Sequence, residues 1–286
     1  MENRIICVPY YVSKNDLNNL GIKVDATVEA EYGEKVLEGD KITLAHHVEK
    51  YKNCNAPCNR NVEKLKDGET IIISHIDLDT IGGCLALLGV KPEDEEFWKG
   101  AEFIDIKGSH HIKELSKEVE DKINAYSAYN STLEKVDRTK ITDVTERILS
   151  YKSVLERIIN NDKELIKKGK EWTQEISTKI EKCLECETDN VRIFRSVDNI
   201  FCSASYYSEA KKRIIPTTLT YNMVTKSITL AFEDGGEKYS AKEIVQNLWG
   251  DKAGGHRGIA GSPRGVEMSE EDFENIKKYL NTILKE

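Results

Sequence analysis

Apolar positions gather in short runs toward both ends of the chain and recur at helical spacing between them. IICV (residues 5–8) reads as a strand, and ETIIIS (69–74) is a β-branched run of the kind expected of a buried strand in a parallel sheet. After the second run, IGGCLALLG (81–89) reads as a helix and EFIDI (102–106) as the following strand. Strand, helix and strand predict a βαβ unit and an α/β first lobe. From 112 to 186 the period becomes three and four, as in ITDVTERILSYKSVLERII and KELIKKGKEWTQEISTKI. That spacing predicts helices, with Gly169 a break or a close-packing point. Beyond 191 the strand signals return in VRIFRS, IFCSASYY, TTLTYN and SITLAF, with turns at MVTK and EDGG. A helix over 241–249 follows, then a Gly-rich loop, then a final helix after Ser269, where Asp272 completes a helix-start signal.

These elements predict a two-lobed α/β protein. An N-terminal domain on a parallel sheet spans 1–145, a helical connector 146–187, and a smaller mixed-sheet α/β domain 188–286; a length of 286 residues suits about two domains.

Charge narrows the function classes. Acidic residues outnumber basic ones 50 to 42, a net charge of −8, whereas proteins that hold long duplex nucleic acid carry a basic face. A small anionic nucleotide or a short oligonucleotide, met by a local positive patch, is the expected partner; a homodimer is compatible with the sequence. Seven scattered cysteines, an odd number, argue against a disulfide framework and for a reduced, cytoplasmic protein. The apolar stretch 81–90 falls short of the ~20 residues a membrane helix needs, and MENRIICVPYYV lacks the marks of a secretory signal.

The six histidines, at 46/47, 75, 110/111 and 256, sit beside carboxylates and glycines. In SHIDLDTIGG, His75, Asp77 and Asp79 alternate, so an extended segment projects all three to one face just beyond a parallel strand. One imidazole and two carboxylates suit a divalent cation, Mn²⁺ above all, with Mg²⁺ or Zn²⁺ allowed; the alternative is a polar strand end without metal. In FIDIKGSHHI, Asp105 is the natural bridge between two ions, and His110 and His111 follow a Gly-Ser turn that returns them to the same crevice, unless they only cap a helix. AGGHRGIAGSPRG brings five glycines into thirteen residues. Over residues 251–265, Lys252, Arg257 and Arg264 against Asp251 leave a local charge of +2, and His256 is placed to donate to a phosphate oxygen. His46, His47, Cys54 and Cys58 form either a zinc set of unusual spacing or a histidine pair reaching the active cleft. Tyr206, Tyr207, Lys211, Lys212 and Arg213 interleave rings and charge, either as a base-stacking stretch or as an ordinary strand edge.

SHIDLDTIGG and GGHRGIAG together resemble the two signature motifs of the DHH phosphoesterase family, which pairs a catalytic DHH domain with a DHHA1 substrate-binding domain. The resemblance covers most of the chain after Glu69, with Thr80 in place of a motif glycine, Ile259 in place of an alanine and Ser109 where the third motif has aspartate. It implies that His75 and Asp77 bind one Mn²⁺, Asp79 another, and that Asp105 bridges them. It also implies that His110 or His111 stands in the third motif, and that Asp143, or failing it Asp137, is the last ligand. Asp79, His110 and His111 would then carry catalysis, and Gly254, Gly255, His256, Arg257 and Arg264 would hold substrate. The expected activity is Mn²⁺-dependent hydrolysis of short oligonucleotides, cyclic dinucleotides or related nucleotide phosphodiesters. The rivals are a pyrophosphatase or polyphosphatase, a nucleotide-binding sensor that lost a metal, and a zinc-stabilised interaction module.

Overall fold

The structure is a computed structural model that describes residues 2–197 and 203–284. The chain forms two compact units, Met1–Thr173 and Gln174–Glu286.

The first unit contains, in chain order, β1 (Arg4–Cys7), α1 (Lys14–Asn19), β2 (Ala26–Val28), the hairpin of β3 (Glu31–Tyr32) and β4 (Lys35–Val36), and β5 (Ile42–Leu44). After these come β6 (Thr70–Ile73), α2 (Leu78–Leu87), α3 (Glu95–Lys107), α4 (Lys117–Ser131), β7 (Thr142–Asp143) and α5 (Thr145–Ile159). The unit boundary falls within the next helix, α6 (Lys163–Lys182). The main sheet has the order β5-β2-β6-β1-β7, its first four strands parallel and β7 antiparallel on the edge of β1. Alternate residues feed two cores. Ile5, Cys7, Ile71 and Ile73 face the helices, while Ile6, Val8 and Ile72 pack with Leu17, Val24 and Leu37 on the other side. Burial on both faces is why these strands read as unbroken apolar runs. Gly169 is a close-packing point: a Cβ there would lie 2.6 Å from the Ala125 nitrogen of α4.

Two expectations fail here. EFIDI is not a strand; it is the second half of α3. Asp94 caps that helix by accepting from the Phe97 amide, Glu95 and Glu96 occupy the first turn and Lys107 the last, and Phe97, Trp98 and Ala101 are buried. A five-residue apolar run is ambiguous between strand and helix, and the cap and charges upstream decide it. Nor is the 75–79 segment extended: Asp77 caps α2, accepting from the Thr80 amide at 2.8 Å, and Asp79 already lies in the first helical turn.

The second unit carries β8 (Leu184–Glu187), β9 (Val191–Ser196), the hairpin of β10 (Tyr207–Ser208) and β11 (Arg213–Ile214), β12 (Thr217–Asn222), β13 (Ser227–Phe232), α7 (Ala241–Trp249), β14 (Gly254–Gly255), β15 (Ile259–Gly261) and α8 (Glu270–Ile283). Its sheet has the order β14-β15-β13-β12-β9-β8, with β9 and β12 parallel and the other pairs antiparallel, so it is mixed. Leu219, Tyr221, Ile228 and Leu230 share one core with Ile244 and Val245 of α7 and Phe273, Ile276 and Leu280 of α8. Ser269 and Asp272 form a complete capping box. The strand expected over 200–207 lies partly outside the described residues; its described part is a 3₁₀ turn, Ser203–Tyr206, leading into β10. The protein is therefore a two-unit α/β protein with a mainly parallel sheet first and a mixed sheet second. Among the described residues no helix is long and apolar enough to cross a membrane.

Candidate metal centre

Four parallel strands end on one edge of the first sheet, and the chain just beyond each carries polar groups. Ligand sites in open α/β sheets form at this carboxyl edge. Glu29 follows β2, His46 and His47 follow β5, Ser74, His75 and Asp77 follow β6, and Tyr10 follows β1.

The centre of the group is His46. Its Nε2 lies 3.0 Å from Asp105 Oδ2, 3.5 Å from Glu29 Oε1 and 3.7 Å from Asp79 Oδ2. His47 Nε2 lies 3.4 Å from Glu29 Oε2 and 3.3 Å from Asp105 Oδ2. Glu29, His46 and His47 form one set of converging ligand atoms and His46, Asp79 and Asp105 a second, with His46 common to both. Local structure fixes each group. The amides of His46 and His47 donate to the Glu31 carboxylate, at 2.9 and 3.3 Å. Asp79 Oδ1 accepts from the Cys58 amide at 2.8 Å, leaving Oδ2 toward His46. That amide belongs to a 3₁₀ turn, Pro57–Asn59, packed against α2 at Gly82, where a Cβ would come within 2.4 Å of Cys58 Cβ. Glu102 of α3 binds the same turn through the Ala56 amide (2.8 Å) and Asn59 Nδ2 (2.6 Å), so turn and helix hold Asp79 and Asp105 together.

The group is unfinished by its own hydrogen bonds. Glu29 Oε1, His46 Nε2, Asp79 Oδ2 and Asp105 Oδ2 are all buried and, among the described residues, none has a hydrogen-bond partner. A single buried unsatisfied polar group costs about 1–3 kcal/mol, more when charged, so four that converge call for a shared partner. Three carboxylates and two imidazoles fit a divalent cation.

The electrostatics agree. Burial, reinforced by Asp79, Glu31, Asp77 and Asp105, pushes the Glu29 carboxyl up to about 10. Burial likewise raises Asp79 to about 6, against the hydrogen bonds from Cys58. For Asp105 the burial penalty is outweighed by His46 and then His47, which hold it well below the usual carboxylate range. Asp105 in turn raises His47. Without a cation, Glu29 is therefore protonated at neutral pH.

His75 and Asp77 sit beside this group as a pair, Nε2 to Oδ2 at 2.7 Å, with His75 Nδ1 2.8 Å from Ser74 Oγ. Burial alone would lower His75, but Asp77 more than offsets it and raises the imidazole; the reciprocal contact lowers Asp77 against its own burial.

Of the residues expected at the metal centre, the structure brings Asp79 and Asp105 together, with His75 and Asp77 adjacent. Asp105 arrives from the last turn of α3 rather than from a strand tip. Asp143 stands apart on β7, where it pairs with Arg4 at 3.0 Å and accepts from Thr145; Asp137 accepts from Thr139 and Lys140. His110 and His111 lie in a 3₁₀ segment, Ser109–Glu114, with their rings 4.5 Å apart and His111 Nδ1 2.5 Å from Glu114. Neither is in the groups around His46. The histidine doublet in that place is His46–His47. Cys54 is exposed, Cys58 is buried, and no cysteine joins these groups among the described residues, so a zinc set with them does not form. Glu29 is the residue the sequence reading missed. Its only signals are an acid directly after a short apolar strand and, in three dimensions, a backbone held at φ 50, which a non-glycine residue rarely adopts.

In the second unit, Gly254 and Gly255 form β14, and the 254–261 segment is a β-hairpin in which the His256 amide donates to the Ile259 carbonyl at 2.7 Å. His256 and Arg257 are exposed at its turn; Arg257 donates to the Gly236 carbonyl at 3.0 Å, and Arg264 is exposed beyond it. Tyr206 is buried, and Lys211 and Arg213 both pair with Asp189 while Lys212 pairs with Glu209, so the cations of that stretch already have acidic partners.

No protein-family model and no curated protein matches the chain. Among solved structures it is similar to a pGpG-specific phosphodiesterase, PggH, from Vibrio cholerae, at 12% identity and a TM-score of 0.47, covering 96% of this chain and 88% of that one. It is also similar to an exopolyphosphatase-related protein from Bacteroides fragilis (11% identity, TM-score 0.32, covering 87% and 66%). A third likeness is to an uncharacterized protein from Helicobacter pylori G27 (12%, 0.25, covering 97% and 82%). Likenesses this distant carry nothing about chemistry, which rests on the residues themselves.

Proposed function

We propose that the first unit is a metal-dependent phosphoester hydrolase, with Mn²⁺ as its ion and short nucleotide phosphodiesters as its substrates. The observation that carries the reading is the convergence, at the carboxyl edge of a parallel sheet, of four buried polar atoms that have no hydrogen bond among the described residues. Glu29, His46, His47, Asp79 and Asp105 are the residues that would hold the cation. A divalent ion there supplies a water of lowered pKa and a counter-charge for phosphoryl oxygens. The protein's own contributions are positional. Glu31, Cys58 and Glu102 fix the ligands, and His75, held by Asp77 and Ser74, presents a half-buried imidazole whose hold on a proton Asp77 strengthens. The resemblance of SHIDLDTIGG to the DHH motif agrees with this placement of His75, Asp77 and Asp79. A net charge of −8 favours short substrates over long polymers.

The test is Asp79→Asn, assayed for Mn²⁺ binding by calorimetry and for hydrolysis of bis-p-nitrophenyl phosphate. We expect Mn²⁺ affinity to fall about 10-fold or more and turnover to disappear. A variant that binds Mn²⁺ and turns over like the wild type would refute the site.

A further inference from the structure

A metal centre of three carboxylates attracts cations; a phosphoester also needs a positive group that is not already neutralised. The first unit has one at the same edge. Its elements β1 and β6 run parallel with Cys7 opposite Ile73, and the Val8 amide still donates to the Ile73 carbonyl at 2.9 Å, so Tyr10 and Tyr11 emerge beside Ser74 and His75. On the other side of β1, β7 pairs antiparallel with Thr142 opposite Cys7, which runs the preceding loop back along the same end of β1. Two hydrogen bonds pin that loop: Tyr11 Oη to the Thr139 carbonyl (3.0 Å) and Arg138 Nη1 to Tyr10 Oη (2.8 Å).

Arg138 is exposed there without a counter-charge. The adjacent acid, Asp137, is occupied by the Thr139 amide and hydroxyl and by Lys140 at 3.0 Å. Arg4 and Arg157, by contrast, pair with Asp143 and Asp162. Among the described residues the Arg138 guanidinium forms no ion pair, and its one hydrogen bond is to a neutral phenol that is itself 52% exposed. An unpaired guanidinium held toward solvent, beside a cation-binding edge, is a fork suited to two oxygens of one phosphate.

We infer that Arg138, positioned by Tyr10, holds the substrate's phosphate at the carboxyl edge of β1 while the acidic cluster farther along the same sheet edge holds the metal. The inference rests on the phosphoesterase reading, but its test separates the two. Binding of inorganic phosphate is measured by calorimetry with and without Mn²⁺, alongside Mn²⁺ binding alone, for the wild type, Arg138→Ala, Arg138→Lys and Tyr10→Phe. Loss of a bidentate charged contact should weaken phosphate roughly 10-fold or more in Arg138→Ala and less in Arg138→Lys, whose ammonium keeps the charge but not the fork. Tyr10→Phe should cost about threefold. Mn²⁺ affinity should stay within about twofold in all three, because none supplies a ligand. A wild type that binds no phosphate under either condition, or an Arg138→Ala protein that binds it equally well, overturns the inference. Phosphate binding that depends on Arg138 in a protein that takes up no Mn²⁺ sustains it and sinks the metal centre instead.

Discussion

Replacing Glu29 with glutamine should make the metal-free protein more stable and the metal-bound protein less so. Glu29 is 2% exposed and its carboxyl is pushed from 4.5 up to about 10 by burial and by Asp79, Glu31, Asp77 and Asp105. A carboxyl whose folded pKa lies above its unfolded one contributes stability that is whole below about 4.5 and is lost as the pH rises toward 10. At pH 7 the unfolded chain has released this proton and the folded chain has not. With each pH unit worth about 1.4 kcal/mol, the group costs about 3 kcal/mol at pH 7 and about 3 more by pH 9. Asp105 titrates far below this window, and Asp79, at about 6, has largely finished by pH 7, so the slope above neutrality belongs mainly to Glu29 with contributions of the same sign from His47 and His75. Glutamine has the same shape and no proton to lose. In EDTA, urea unfolding of Glu29→Gln at pH 7 should therefore show a gain of up to about 3 kcal/mol and most of the slope between pH 7 and 9 should vanish. Mn²⁺ reverses the order. Binding to the wild type must displace the Glu29 proton and whatever proton His47 carries, so affinity rises with pH and at least one proton is released per ion, read from calorimetry in buffers of different ionisation enthalpy. At 100 times its dissociation constant the ion should stabilise the wild type by about 2.7 kcal/mol, and the variant far less. A variant destabilised in EDTA, or one stabilised by Mn²⁺ as strongly as the wild type, would refute the account of this centre.

Two further substitutions probe what holds the site and the second unit. Gly82→Ala would put a methyl 2.4 Å from Cys58 Cβ and 2.7 Å from the Trp98 ring. It should cost about 1–3 kcal/mol in urea unfolding and, by moving the amide that holds Asp79, weaken Mn²⁺ binding as well; a stability loss with untouched Mn²⁺ affinity would detach that turn from the site. Arg192 is fully buried, donating to the carbonyls of Ser205 (2.7 Å) and Tyr207 (2.5 Å) and pairing with Glu187 (2.8 Å) and Glu181. Arg192→Ala leaves two carbonyls and two carboxylates without it and should destabilise by about 3–5 kcal/mol. A loss under about 1 kcal/mol would mean those groups find water.

How legible the fold was depended on how local its signals are. VRIFRS, TTLTYN and SITLAF became β9, β12 and β13 with the boundaries their β-branched runs mark, because strand propensity, alternation and the turns between them all agree. Ser269 with Asp272 announced α8 for the same reason. EFIDI misled because five residues do not distinguish the two periods, and the deciding evidence, Asp94 with Glu95 and Glu96, lies about two turns upstream. Asp77 shows the same competition: an Asp three residues before a backbone amide caps a helix, and capping overrode the alternation that would have kept His75, Asp77 and Asp79 on one face.

The site was only half legible because a parallel sheet assembles it from distant stretches of chain. Asp79 and Asp105 stood out among acids near a histidine motif, but their partner doublet is His46–His47, fifty-eight residues before Asp105 in the case of His47, following a three-residue strand too short to be read as one. Glu29 lies earlier still, after another three-residue strand. Every one of these groups follows the carboxyl end of a parallel strand or reaches that edge from a helix, so what links them is strand order, β5-β2-β6-β1, and no spacing along the sequence encodes it. The second doublet, His110–His111, has equal local appeal but follows a helix, and His111 pairs with Glu114 in the same 3₁₀ segment. Between two identical dipeptides, the one that follows a strand of the parallel sheet reaches the carboxylates of its neighbours. Burial on both faces of the sheet forces its polar groups to the strand ends, where neighbouring strands bring their own.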